Sequence, residues 1–390
     1  MRAQGSPIPL LNKFSTGARE WQDCPFHQSG GHDDHRHQDA MTTHHSTGYA
    51  PSPSLGELNA KLKNGSWKRV SECLACQSRH IESFANLRRI AYDRCRSCGF
   101  TFANPPPPDE VLSEFYNTPF YNNYRKLEAA RIAVQPYFTV SFNDLRRLSR
   151  WITVERSAAI LDFGCGPGSF LALLRDEFGY ENVEGLELNT ASVQVAQRSY
   201  DLRIASKIEE LRTKQYDLVI LIEVIEHIPD PKEVLRTISS LLKPGGALFI
   251  TTDSVRNIPA RYFPSHCGHY TGPSHVSLFT EQAMTEMLTQ SGFRVERLEA
   301  DRSQELFGNF VASPFYKLDF LSPRSNDDLV DVLYVPNKFG RLLGLRPRRS
   351  LPSFLRKMKR IDSIIANAAA KFLATPPTEH LFVLARKEEA

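Results

Sequence analysis

No stretch of this 390-residue chain offers the about 18 uninterrupted apolar residues that a membrane-spanning helix needs, so none is expected. The first residues lack a basic segment followed by an apolar core, so no secretory signal is expected either. Net charge is scarce. Lys and Arg total 48 against 44 Asp and Glu, and the resulting +4 does not by itself demand nucleic acid as a partner. Cysteine is sparse and odd in number, seven in all, which argues against a disulfide framework. Four of the seven form two Cys-x-x-Cys pairs, a pattern of metal binding in a reducing compartment, and the expected location is cytoplasmic.

Glycine, by contrast, is concentrated. Ile160-Leu-Asp-Phe-Gly-Cys-Gly-Pro-Gly168 is an apolar run that ends in an acid and three glycines at alternate positions. Such runs form buried parallel strands. Glycines directly after one let the chain turn sharply and let a ligand approach the main chain. Residues 169–178 then read as a helix. Strand, glycine turn and helix make the nucleotide-binding corner of an α/β sheet. The spacing is Gly-x-Gly-x-Gly, not the Gly-x-Gly-x-x-Gly of dinucleotide folds. A second strand at 182–189 carries Glu187, where an acid can accept hydrogen bonds from both hydroxyls of a ribose. A solvated surface acid is the plain alternative. Later strands are expected at 215–222, at 246–252 after a Pro-Gly-Gly turn, near 293–299 and at 380–386.

These residues resemble the class I S-adenosylmethionine-dependent methyltransferases. Asp162 with the glycine loop matches that family's first motif. Tyr216-Asp-Leu-Val219, Glu226-His-Ile-Pro-Asp-Pro231 and Leu241-Leu-Lys-Pro-Gly-Gly246 are similar to it too. The resemblance covers residues 155–300 and the last ten or so. It implies an α/β fold, a Rossmann-like seven-stranded sheet with helices on both faces. It also implies S-adenosylmethionine as cofactor, held by Asp162, Gly164, Gly166, Gly168, Glu187 and Glu223.

Around that core (151–300 and 379–390) four further segments are expected. Residues 1–65 are Gly-, Ser-, Pro-, Thr- and His-rich, and read as a disordered tail. Six histidines between His27 and His45 belong to that solvated tail, and Met41 is a candidate alternative start. Residues 66–104 hold Cys73-Leu-Ala-Cys76 and Cys95-Arg-Ser-Cys98, with 18 residues between the pairs. Tetrahedral zinc takes four thiolates and the gap leaves room for a hairpin, so Cys73, Cys76, Cys95 and Cys98 read as a zinc ribbon with a structural ion. Residues 105–150 form a linker, stiffened by Pro105 to Pro108, and a helical cap. Its aromatics from Phe115 to Tyr124 either close over the cofactor or pack on the sheet. Residues 301–378 read as a helical insertion or lid. Its basic stretch at 338–360 suits peripheral contact with an anionic membrane, a solvated lid being the plainer reading.

Ligands of open α/β sheets bind beyond the carboxyl ends of the strands. Glu223-Val-Ile-Glu-His-Ile-Pro-Asp-Pro231 falls there, and helical geometry would put Glu223, Glu226 and His227 on one face. His275 follows downstream. Two catalytic readings compete. In one, His227 or His275 is the general base for a hydroxyl proton during methyl transfer. In the other, Glu223, Glu226, His227 and His275 hold a second divalent ion, Mg or another, that grips neighbouring substrate oxygens. A helix-capping role for the Glu-His pair is the structural alternative. The Glu-x-x-Glu-His pattern with a distant His resembles the ubiquinone-pathway O-methyltransferases. It also resembles the small-RNA 2′-O-methyltransferases, where the matching positions hold a metal.

A ribbon joined to such a core by Cys-Gly-Phe-x-Phe-x-Asn-Pro-Pro is similar to bacterial enzymes that modify sugars, glycans or small secondary metabolites. The expected reaction is O- or C-methylation of a small hydroxylated or sugar-like acceptor. The rival is an RNA methyltransferase, its ribbon gripping RNA through Lys68, Arg69, Arg79, Arg88, Arg89, Arg94 and Arg96. Glu72, Glu82 and Asp93 dilute that charge. Intact cofactor motifs disfavour a third class, a non-catalytic scaffold.

Overall fold

The computed structural model describes residues 67–302, except 88–89, 134–136, 138–139, 257–259, 261–263, 265–269 and 271–273, together with Lys61 and residues 378–389. The expected tail (Lys61 apart) and nearly all of the insertion, with its basic stretch at 338–360, lie outside the described residues.

The two Cys-x-x-Cys turns flank a hairpin, as the spacing predicts. Its strands are β1 (Ile81–Leu87) and β2 (Ile90–Cys95), and β3 (Thr101–Ala103) extends it antiparallel to β2. Cys73 Sγ lies 3.6 Å from Cys98 Sγ, and Cys76 Sγ lies 3.5 Å from Cys95 Sγ. Disulfide sulfurs sit about 2.0 Å apart, so these are thiols gathered in one group. Helices α1 (Asp109–Tyr116), α2 (Pro119–Ile132) and α3 (Phe142–Trp151) follow as the cap.

The core alternates strand and helix: β4 (Ala159–Phe163), α4 (Ser169–Asp176), β5 (Asn182–Leu186), α5 (Thr190–Tyr200), β6 (Ile204–Ala205), β7 (Tyr216–Ile222), α6 (Pro231–Leu241) and β8 (Leu242–Asp253). After β9 (Ser277–Leu278) come α7 (Glu281–Gln290), β10 (Phe293–Arg302) and β11 (Thr378–Lys387). Seven strands form one sheet in the order β10-β11-β8-β7-β4-β5-β6. Strands β4 to β8 pair parallel, while β11 runs antiparallel to both its neighbours. Successive side chains of a strand point to opposite faces. Ile160, Leu218, Ile220 and Phe249 accordingly fill one core layer, and Leu161, Val219, Leu221, Leu248 and Ile250 the other. Burial on both faces is why these strands read as unbroken apolar runs.

The ribbon is fused to this core. Strand β9 leaves the core and pairs antiparallel with β3, completing a four-stranded sheet in order β1-β2-β3-β9. Phe279 packs on Phe100 with ring centroids 5.0 Å apart. Thr280 Oγ1 donates to the Cys98 carbonyl (2.5 Å) and accepts from Ala283 N–H, capping α7. Tyr92 in β2 is fully buried, and its hydroxyl donates to the carbonyl of His275 (2.7 Å). Tyr92→Phe removes that donor from a carbonyl at a buried joint, a loss of about 1–2 kcal/mol. Denaturant unfolding should show this drop, and a variant as stable as the wild type would mean that the bond carries no stability.

Candidate active site

The glycine loop after β4 is built from positive backbone angles. Gly164 has φ +81°, Gly166 +52° and Gly168 +80°. Packing demands glycine at two of the three positions. A Cβ on Gly164 would stand 2.6 Å from Val224 Cγ2, and one on Gly168 2.7 Å from Leu202 Cδ1. At Gly166 a Cβ would meet only Arg125 Nη1, at 3.9 Å, so this glycine faces open space beneath an arginine. Glu187 follows the end of β5. Its Oε2 accepts from Gly166 N–H (2.9 Å) and its Oε1 from Asn189 N–H (2.7 Å). Burial pushes the Glu187 carboxyl up. Asn189 Nδ2 donates to the Tyr116 carbonyl (2.6 Å), tying the cap to this corner. Arg125, on α2, donates to Glu128 and to the Tyr121 hydroxyl. The expected cofactor residues Asp162, Gly164, Gly166, Gly168 and Glu187 thus gather at the carboxyl ends of β4 and β5.

Glu223 directly follows β7, the strand next to β4 in the sheet. The helical turn begins only at Ile225 and is a single 3-10 turn, Ile225–His227. Glu223 precedes it at φ +53°, a left-handed backbone that takes it off the Glu226–His227 face expected from helical spacing. Its Oε1 instead accepts from Thr251 Oγ1 (3.3 Å) and lies 3.7 Å from His380 Nδ1.

Glu226, His227 and His275 do converge. Glu226 is fully buried. Its Oε2 accepts from Thr252 Oγ1 (2.7 Å), while Oε1 has no hydrogen-bond partner among the described residues and stands 3.7 Å from His227 Nε2. His227 Nδ1 is 2.8 Å from the Ser274 carbonyl, which can only accept. The proton therefore sits on Nδ1 and Nε2 keeps its lone pair. Burial lowers the His227 pKa, favouring this neutral form. Burial, then the charges of Glu223 and Asp253, push the Glu226 carboxyl well up. A lone pair and a carboxylate oxygen enclosed side by side call for a proton or a cation between them. The His227 and His275 rings lie 4.7 Å apart edge to face, and Tyr116 meets His227 at 6.0 Å.

Three residues at this site escaped the motif reading: Arg125, Asp253 and His380. Asp253 ends β8 and His380 lies near the start of β11, facing it across the ladder. Asp253 Oδ2 is 3.6 Å from His275 Nδ1, and Oδ1 is 3.5 Å from His380 Nδ1. An acid closing an apolar strand was the available signal for Asp253. Nothing local marks His380 or Arg125. Asp144 on α3 lies in the same field: burial, then Glu223, push its carboxyl up to about 6.

Comparison with known proteins bears on the class of enzyme. The methyltransferase-domain family matches residues 139–298. The ubiquinone biosynthesis O-methyltransferase of Bordetella avium is 38% identical over 103 residues, 24% of this chain and 42% of that protein. The chain thus spans less than half the length of that relative. The protein of the same name from Xanthomonas campestris pv. campestris is 31% identical over 183 residues, 40% of this chain and 74% of its own length. The fold is also similar to Haemonchus contortus phosphoethanolamine N-methyltransferase 2 in complex with S-adenosylmethionine, with TM-score 0.45 and 20% identity over 74% of this chain and 63% of that one. With identity of this order carried across nearly three quarters of a relative, the chain belongs to the class I S-adenosylmethionine-dependent methyltransferases.

Proposed function

We propose that this methyltransferase methylates a hydroxyl oxygen of a small, sugar-like or otherwise hydroxylated acceptor. One observation carries the reading: the buried Glu226 Oε1, without a hydrogen-bond partner among the described residues, facing the His227 Nε2 lone pair beyond the carboxyl end of β7. S-adenosylmethionine supplies a methyl group already activated by positive sulfur. The protein's main task is therefore alignment, worth many powers of ten. In this reading the main chain at Gly164, Gly166 and Gly168 cradles the cofactor. Glu187 turns its carboxylate to the ribose hydroxyls, Asp162 lies beneath the loop, and Arg125 offers a cation above Gly166.

His227 Nε2 takes the acceptor's hydroxyl proton, or it joins Glu226 Oε1 and His275 around a divalent cation. Mixed carboxylate and imidazole donors suit such an ion, and the Ser274 carbonyl orients His227 as a backbone acceptor orients a ligating imidazole. A bound cation would lower the pKa of a coordinated hydroxyl. The relatives' printed name, O-methyltransferase, supports oxygen over carbon as the methylated atom.

The ribbon supports this reading over RNA modification. Arg69 pairs with Asp93 (2.6 Å), Arg79 with Glu72 (2.8 Å) and Arg96 with Glu82 (2.5 Å), while Arg94 lies over the Phe84 ring. Arginines matched to acids in this way leave little field for phosphates. Cys73, Cys76, Cys95 and Cys98 are assigned a structural zinc. Their sulfurs are spaced nearly as a tetrahedron of about 2.3 Å bonds requires. Metal analysis should find one tightly held zinc that Cys95→Ser releases.

Methyl-labelled cofactor incubated with fractionated cell extract tests the acceptor. Label is expected in small-molecule or glycan fractions, insensitive to ribonuclease, and lost by at least 100-fold with Glu226→Gln or His227→Ala. Label that vanishes with ribonuclease would overturn the reading. A separate prediction concerns Asp162, whose carboxyl burial and then Glu187 push up to about 7. A raised native pKa gives stability that is full below the unfolded value, about 3.9, and lost as pH rises through about 7. Ligand-free wild type should therefore lose melting temperature between pH 5 and pH 8 relative to Asp162→Asn. Parallel profiles would refute a strained carboxylate.

A further inference from the structure

Beside the Glu226–His227–His275 group stands a second one, Glu223, Asp253 and His380, whose ligand atoms also lie within 4.8 Å of one another. We propose that this second group binds its own divalent transition-metal cation and that Asp253 bridges it to the first, making a two-metal centre at the tips of β7, β8 and β11. The inference rests on the reading of the first group as a cation site.

Asp253 is the pivot. It is 5% exposed, and each of its oxygens faces a different imidazole: Oδ1 is 3.5 Å from His380 Nδ1 and Oδ2 is 3.6 Å from His275 Nδ1. A carboxylate shared between two ions presents its oxygens in this way. The separations also suit ligands. Hydrogen-bonded N and O sit about 2.7–3.2 Å apart. Donors each about 2.0–2.2 Å from a common ion stand about 3.0–3.5 Å apart. His380 Nδ1 is 3.5 Å from Asp253 and 3.7 Å from Glu223, nearer the second pattern. The donor set is two carboxylates and an imidazole, chemistry suited to Mn, Fe, Co or Zn.

Charge points the same way. Glu223, Glu226 and Asp253 bring three carboxyl groups to one patch, and a cation that displaces the proton from Glu226 makes all three negative. One divalent ion leaves an excess of one; two leave a single positive charge, the complement of one acceptor oxyanion. The side chains of Glu223 and His380 are 40% and 39% exposed, so the second site opens outward where an acceptor oxygen can complete it. Ions in shared sites lie about 3.5–4 Å apart, matching neighbouring oxygens on one acceptor.

The test loads the full-length protein with Mn2+, counts bound Mn by elemental analysis and records its low-temperature electron paramagnetic resonance. The wild type should bind two Mn per chain with a spin-coupled spectrum. His380→Ala should bind one, show an uncoupled six-line spectrum and keep its fold by circular dichroism. Should His380→Ala fail to fold, the more conservative Glu223→Gln should cause the same loss. One Mn in the wild type, abolished by His227→Ala and unchanged by His380→Ala, overturns the second site and spares the first. No Mn in the wild type overturns both. Two uncoupled Mn, each lost with one group alone, overturns the Asp253 bridge.

Discussion

The antiparallel ladder between β8 and β11 sets His380 opposite Asp253, and it does so where β7 has just ended. Side chains alternate along a strand, so a slip of one residue would turn His380 to the other face of the sheet. It would also move Leu381, Val383 and Ala385 out of one core layer and Phe382 and Leu384 out of the other. These residues are at most 2% exposed, so hydrophobic burial over the whole strand holds one imidazole in register. A polar site at the rim is thereby specified by apolar packing in the middle.

The ribbon works on the opposite flank. His275 lies just before β9. Its carbonyl is held by Tyr92, the chain beyond it becomes a ribbon strand, and Thr280 joins the second cysteine turn to the first turn of α7. The fused sheet explains why a small cysteine-rich module sits beside a catalytic fold. It ties the segment from His275 to Thr280 to the cysteine turns on one side, while Val276 N–H donates to the Glu226 carbonyl on the other.

Legibility in the sequence followed the range of the interactions. The glycine loop and Glu187 lie in one β-turn-α-β unit, and the structure joins them by the Gly166–Glu187 bond. The cysteine spacing encoded its hairpin because both turns are local. The proximity of Glu226 and His227 was readable for the same reason. The shared face expected for Glu223 was not, because one left-handed residue after a strand interrupts the helical periodicity on which the face argument relied. Asp253 and His380 are brought together by sheet order alone, across the whole insertion. Arg125 reaches Gly166 only because α2 folds back over the loop.

The insertion has one further property, seen in its ends. Arg302, the last residue of β10, is the ladder partner of Thr378, the first residue of β11. The 75 residues between them therefore leave and return at a single point, like a loop sewn onto the sheet with one stitch. The cost of closing such a loop grows only slowly with its length. Descendants of this chain can lengthen, shorten or replace that segment without disturbing the strand that carries His380. The register of β11 against β8 is thus set by the strand and its neighbours, independent of the length of chain between the two ends.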